Sequence, residues 1–165
     1  MKCLVFSDSH GEYQYIKKAL SLHPDAEVVF FLGDGLSVID EIAKGEDKRM
    51  WVCVRGNCDF CSIFLNNDVA VSEEITLMGK KIFLTHGHMY SVKSGLDLIS
   101  SAAEFRGADI VLFGHTHKPH LSYVSSDVHP YYLFNPGSIK EFPYNYGILT
   151  ITENATLFSH GCFRI

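Results

Sequence analysis

The chain lacks any uninterrupted apolar run of about 18 residues, which excludes a transmembrane helix. It is short of basic residues, with 14 Lys and Arg against 19 Asp and Glu, giving a net charge of −5. Those 14 form no block, so the electrostatic footprint of a nucleic-acid binder is missing. Repeats, linkers and low-complexity segments are lacking too. The 165 residues therefore read as one domain, long enough for a substantial core and too short for two ordinary ones. A disulfide framework is also absent, because five cysteines are an odd number and fit reduced thiols. The N-terminus, MKCLVFSDSHGEY, turns polar after six residues, too soon for the core of a signal peptide. A cytoplasmic protein is expected. In that setting the acceptor pattern Asn154-Ala155-Thr156 is chance.

What is present is a globular composition, 47% hydrophobic and 20% charged, which excludes disorder. Apolar runs at Lys2–Ser7, Val28–Leu32 and Met50–Val54 read as buried strands. Between them, helical spacing is visible over Gly11–Leu22 and Gly35–Ala43, so the first third is β-α-β-α-β with parallel strands. Val69–Leu77 and Lys81–Leu84 flank Met78-Gly79-Lys80 as a hairpin, Ser91–Phe105 reads as a helix, and Ile110–Phe113 as a strand. Short β-like runs follow at His120–Val124, Tyr131–Phe134, Gly147–Ile151 and Ala155–Ser159. A parallel half followed by mostly antiparallel strands predicts two sheets packed face to face with outer helices.

Five of the apolar strands end at once in metal-capable side chains. They are followed by Asp8-Ser9-His10, Gly33-Asp34, Arg55-Gly56-Asn57-Cys58-Asp59, His86-Gly87-His88 and Gly114-His115-Thr116-His117. Loops at the carboxyl ends of buried parallel strands are where α/β proteins place chemistry. Carboxylate, imidazole and amide oxygen together suit borderline divalent ions such as Mn, Fe, Co, Ni or Zn. No thiolate cage for a structural zinc is present. Taken singly, Asp-Ser-His or Gly-Asp is a common turn. Their joint occurrence, in order and each at a strand end, carries the metal reading.

This ordered set, with Asn135-Pro136-Gly137-Ser138 after it, resembles the calcineurin-like metallophosphoesterase superfamily, and especially its small bacterial and archaeal phosphodiesterase branch. The resemblance spans nearly the whole chain. It implies an α/β fold, a four-layer α/β/β/α sandwich of two mixed sheets flanked by helices. It also implies hydrolysis of a phosphate-ester substrate through a dinuclear metal centre and metal-bound hydroxide, with two divalent metal ions, Mn2+ first and Ni2+, Fe2+, Co2+ or Zn2+ as substitutes. By position, Asp8, His10 and His117 match the ligands of the first ion, Asp34 the bridging carboxylate, and Asn57, His86 and His115 the ligands of the second. His86 is preferred to His88, which is left a supporting role.

The segment Asn57, Cys58, Asp59 is the expected catalytic one. Most members carry His after the Asn, and that His is thought to protonate the leaving group. Here Cys58 stands in its place, a weaker donor than imidazolium, with an ordinary pKa of about 8.5. Asp59 either supports Cys58 or caps the loop. Cys58 and Cys61 also spell CxxC, but the strand arrangement is not thioredoxin-like and no second pair completes a zinc knuckle. Cys53 and Cys162 are read as packing residues.

Of the remaining histidines, His23 reads as a surface or capping residue, His120 as site-lining or exposed, and His129 and His160 belong to no motif. Lys118 stands where either a substrate phosphate or solvent would meet it. Tyr131, Tyr132, Phe142, Tyr144 and Tyr146 read as core packing or a subunit contact, compatible with a homo-dimer or tetramer, because no basic residues interleave for base stacking. Two other readings stay open: a phosphomonoesterase or nucleotide phosphatase, and a protein-binding scaffold like the retromer subunit of this fold, whose metal ligands are eroded. The complete ligand set here favours an enzyme.

Overall fold

The computed structural model describes residues 1–43, 48–59 and 69–164. Two mixed five-stranded sheets form its centre. The first contains β1 (Lys2–Phe6), β2 (Val28–Phe31), β3 (Met50–Cys53), β9 (Asn145–Ile151) and β10 (Thr156–Cys162), in the order β10-β9-β1-β2-β3. The second contains β4 (Ser72–Leu77), β5 (Lys80–Thr85), β6 (Ile110–Phe113), β7 (His120–Val124) and β8 (Tyr131–Asn135), in the order β4-β5-β6-β8-β7. The helices are α1 (Gln14–Leu22), α2 (Leu36–Ala43) and α3 (Asp97–Arg106).

Side-chain alternation builds the layers. Along β1, Cys3 and Val5 enter the cluster between the sheets, with Val28, Phe30, Ile82, Leu84, Ile110 and Leu112. Leu4 and Phe6 point the other way, onto Ile16 and Leu20 of α1 and Val38 and Ile39 of α2. Along β6, Val111 and Phe113 face outward onto Ile99 and Ala103 of α3. Each central strand is thus apolar on both faces, which is why it reads as a continuous hydrophobic run. The result is the expected α/β/β/α sandwich.

Most element boundaries agree with the sequence reading to within a few residues, and β6 and β7 agree fully. The helix expected over Ser91–Phe105 is shorter. A 3-10 turn occupies His88–Tyr90, Ser91 has a left-handed φ of 49°, and α3 begins only at Asp97. Ser91, Ser94 and Gly95 favour turns over helix, and Gly in a helix interior costs about 1 kcal/mol relative to Ala. Cys162 is exposed, because β10 is an edge strand whose alternate side chains face out; it does not pack as expected. The CxxC partner Cys61 lies outside the described residues.

The aromatic stretch is largely internal: Tyr131 is buried, Tyr144 stacks on Tyr15 at 4.0 Å, and Tyr146 lies against Phe6 and Phe163, while Phe142 is exposed. No helix among the described residues is long and apolar enough to cross a membrane.

Candidate metal centre

Strands β1, β2 and β3 run parallel, as do β5, β6 and β8, and their carboxyl ends meet at one edge of the sandwich. Two groups of donor atoms lie there, within 4.8 Å of one another in each group: Asp8, His10 and His117, and Asp34, His86 and His115. A third group of the same tightness joins His10, Asp34 and Cys58. Asp34 therefore stands between the other two. Asp8 and His86 also approach directly, with Oδ1 3.8 Å from Nε2, and His86 Nε2 lies 3.3 Å from Asp34 Oδ2.

The backbone aims these side chains. Among the described residues seven non-glycines have positive φ, and Asp8, His10, Asp34, His115 and His117 are five of them. Such conformations cost of order 1–3 kcal/mol and persist only where surrounding contacts fix them. Those contacts are present. Asp8 N–H donates to Gly33 O and His10 N–H to Asp34 O, tying the first two loops together. His115 N–H donates to Asp8 Oδ2 at 3.0 Å, and Ser7 Oγ donates to the same oxygen at 2.6 Å. The amide of buried Asn135 donates to Gly114 O and Thr116 Oγ1, holding the GHTH loop from below. Ser138 Oγ donates to Asp8 O at 2.9 Å. Gly56 and Gly114 permit the close approach: a Cβ at Gly56 would collide with Asp34 Oδ1, and one at Gly114 with Ser7 Oγ.

Each imidazole presents a defined nitrogen. His86 Nδ1 donates to Leu32 O at 2.7 Å, leaving Nε2 toward Asp34. His117 Nδ1 lies 2.6 Å from Glu141 Oε1, leaving Nε2 3.2 Å from Asp8 Oδ1. This is the carboxylate–histidine arrangement that orients metal ligands. Burial, then the charges of His86 and Lys93, push His115 down to about 4, so at neutral pH it is an unprotonated donor. The Asp8 carboxylate, opposed by burial and joined by Glu141, lifts His117 to about 9. Burial disfavours ionisation of Asp34, but His86 and the Cys58 N–H outweigh it and hold the carboxyl well below the usual range.

The donors suit divalent cations. Among the described residues, buried Asn57 Oδ1 has no hydrogen-bond partner, and buried Asp8 Oδ1 faces the His117 and His86 nitrogens at 3.2 and 3.8 Å. Unpaired buried oxygens are costly, and a cation is the partner that such acceptors beside imidazoles accommodate. Asp8, His10, Asp34, His86, His115 and His117 are thus brought together, with Asn57 on the loop beside them, where Cys58 N–H donates to Asp34 Oδ1 at 2.7 Å.

Cys58 is exposed, its Sγ accepting from Asn57 Nδ2 at 3.2 Å; burial and the Asp34 carboxylate push its thiol up. Asp59 accepts four backbone N–H groups, from Asp34, Gly35, Leu36 and Gly56, at 2.7–3.0 Å. Those contacts cap α2 and fasten the Gly-Asp loop to the Gly-Asn loop, the second of the two roles considered for it. The rings of His88 and His86 are centred 5.5 Å apart, and His88 belongs to none of the donor groups.

Sequence reasoning missed Glu141 and Ser7 as supports. The only signal for Glu141 is its place three residues after the Asn-Pro-Gly-Ser turn. His23 is the C-cap of α1 and His120 packs on Phe113, while His160 Nε2 meets Asn135 O at 2.8 Å, behind the GHTH loop.

Comparison with known proteins agrees with this geometry. The model of the calcineurin-like phosphoesterase superfamily domain matches residues 1–154, and the chain belongs to that family of enzymes. It is 30% identical to the probable metallophosphoesterase YsnB of Bacillus subtilis over 94% of this chain and 87% of that protein. It is 27% identical to the phosphodiesterase YfcE of Escherichia coli K12, over 90% and 87% respectively. Among solved structures, a predicted phosphoesterase from Streptococcus pneumoniae superposes with a TM-score of 0.78 at 23% identity, covering 98% of this chain and 88% of that one. Vacuolar Protein Sorting 29 from Cryptosporidium parvum shares the fold at a TM-score of 0.73 and 17% identity, covering 98% and 97%.

Proposed function

We propose that the chain, read as a single domain over residues 1–165, is a cytoplasmic phosphodiesterase that works with two divalent metal ions, Mn2+ foremost. The observation that carries this reading is the pair of donor groups, Asp8–His10–His117 and Asp34–His86–His115, with Asp34 reaching toward both. Held there, two divalent ions would supply positive charge at the phosphate oxygens and would lower the pKa of a nearby water.

The chain's own residues would do the rest. Asp8, His10 and His117 would hold one ion, Asn57, His86 and His115 the other, and Asp34 would bridge them. Leu32 O and Glu141 fix which imidazole nitrogen faces inward. Asp59 holds the Asp34 and Asn57 loops in register. Cys58 remains a protonated thiol at neutral pH, because burial and the nearby carboxylates disfavour its thiolate. It would be a weak donor to a leaving oxygen, which suits a diester with a good leaving group better than a monoester. Support for the cytoplasm comes from the cysteines, since among the described residues Cys3, Cys58 and Cys162 stand as thiols.

The test is hydrolysis of bis(p-nitrophenyl) phosphate and p-nitrophenyl phosphate with Mn2+, alongside metal stoichiometry, for the wild type and Asp34→Asn. About two ions per chain and faster diester cleavage are expected, with activity falling about 100-fold or more in the variant. Full activity in Asp34→Asn would remove the bridging role. Preference for the monoester would favour a phosphatase, and metal bound without turnover would favour a scaffold.

A further inference from the structure

A cavity of about 380 Å³ adjoins the loop that carries His115 and His117. Thr116, between those two histidines, forms part of its wall, and Val92, Leu96 and Phe113 form an apolar floor. Phe113 is the last residue of β6 before Gly114-His115. Val92 packs against Gly87 of the His86-Gly87-His88 segment, so the floor touches both histidine loops.

Lys93 and Lys118 line the same cavity, both exposed, and no carboxylate lines it. Among the described residues neither ammonium is paired with an acid. Lys93 is near enough to His115 for its charge to be felt there. Two unpaired cations beside one apolar hollow are notable in a chain of net charge −5. A second cavity among the described residues, about 470 Å³ and lined by Lys80, Asp109 and Glu153 among others, mixes both signs of charge, and no residue of either histidine loop lines it.

We infer that this cavity receives one ester arm of the substrate, and that the arm joins an apolar or aromatic body to a phosphate of its own. This rests on the phosphodiesterase reading and narrows its substrate class. The volume falls within the 300–1,000 Å³ or so typical of small-molecule sites and accommodates a nucleoside-sized body. That body covers Val92, Leu96 and Phe113, while the second phosphate lies between Lys93 and Lys118. Lysine acts on phosphate as a point charge, and a phosphate monoester, at about −1.5 to −2, matches two ammonium groups more closely than a singly charged carboxylate does.

The experiment compares two diesters that release the same p-nitrophenolate: thymidine 5′-(p-nitrophenyl phosphate) and its 3′-phosphorylated counterpart. Two exposed charge pairs together are expected to favour the second by about tenfold in kcat/KM, mainly through KM. In the double variant Lys93→Gln, Lys118→Gln, that preference is expected to fall to about one. Because the readout is a ratio within one preparation, a change in metal content or folding cancels. Equal kcat/KM for the two esters in the wild type, or a preference that survives the double variant, would overturn the inference. A 3′-succinyl ester that gains as much would overturn the choice of phosphate over carboxylate. Failure of the phosphodiesterase reading is distinguishable, since neither ester would then release p-nitrophenolate. Thymidine 3′,5′-bisphosphate binding would still report on the cavity, with about tenfold weaker affinity expected in the double variant and unchanged affinity refuting it.

Discussion

Glu141 Oε1 lies 2.6 Å from His117 Nδ1, and the opposite nitrogen of that ring faces Asp8. The glutamate thus chooses the tautomer that a metal ligand needs. Glu141→Ala is expected to weaken Mn2+ binding by about 10–100-fold, the usual effect of removing a residue that orients a ligand. Glu141→Gln keeps an acceptor for the Nδ1 proton and is expected to recover most of the loss. Calorimetric titration with Mn2+ measures both, and equal losses in the two variants would contradict a role through the hydrogen bond.

Asp59 carries four backbone hydrogen bonds on one carboxylate, two of them at the start of α2. Asp59→Ala leaves those N–H groups without their acceptor at a helix N-terminus, where negative charge is favoured. A loss of about 2–4 kcal/mol in stability is expected, with Asp59→Asn losing less. Urea unfolding of metal-free protein decides this. An Ala variant within about 0.5 kcal/mol of the wild type would mean that the loops hold without it.

Cys58 occupies the position where an imidazole would donate a proton more readily. Cys58→His is expected to raise cleavage of monoesters relative to diesters, by about tenfold or more on the scale of general acid catalysis. The measurement is the ratio of kcat/KM for p-nitrophenyl phosphate and bis(p-nitrophenyl) phosphate. An unchanged ratio would show that the thiol is a bystander.

Cys3 provides a pH-dependent contrast. Burial, and to a lesser extent Glu27, pushes its thiol up to about 12 despite the nearby N-terminal charge. Its thiolate is therefore scarce below that pH, roughly one part in ten thousand near pH 8. Cys162 is exposed and is expected to react with iodoacetamide in the folded protein, while Cys3 reacts only after unfolding. Peptide mass spectrometry reads each site, and early labelling of Cys3 would contradict its burial.

The central strands and the order of their ligand-bearing ends were legible because both depend on local signals. Lys2–Phe6 and Val28–Phe31 are apolar on both faces, and polar residues begin where each strand stops. The Ser91–Leu96 segment was misread because apolar spacing there resembled a helix, while Ser and Gly set the backbone. Glu141 was invisible for a different reason. Its partner His117 is 24 residues earlier, and only the folded β8 turn brings them together. Cys162 was misjudged because a sequence does not reveal which strand will be an edge.

The left-handed turns at Asp8, Asp34 and His115 place each donor within three residues of its strand's end. The sheets' own rigidity therefore supplies the precision, and the connections beyond the donors are free to lengthen. New substrate walls can be grafted onto those connections without disturbing the donor cluster, whereas deleting one residue between strand and donor would swing that side chain out of the cluster.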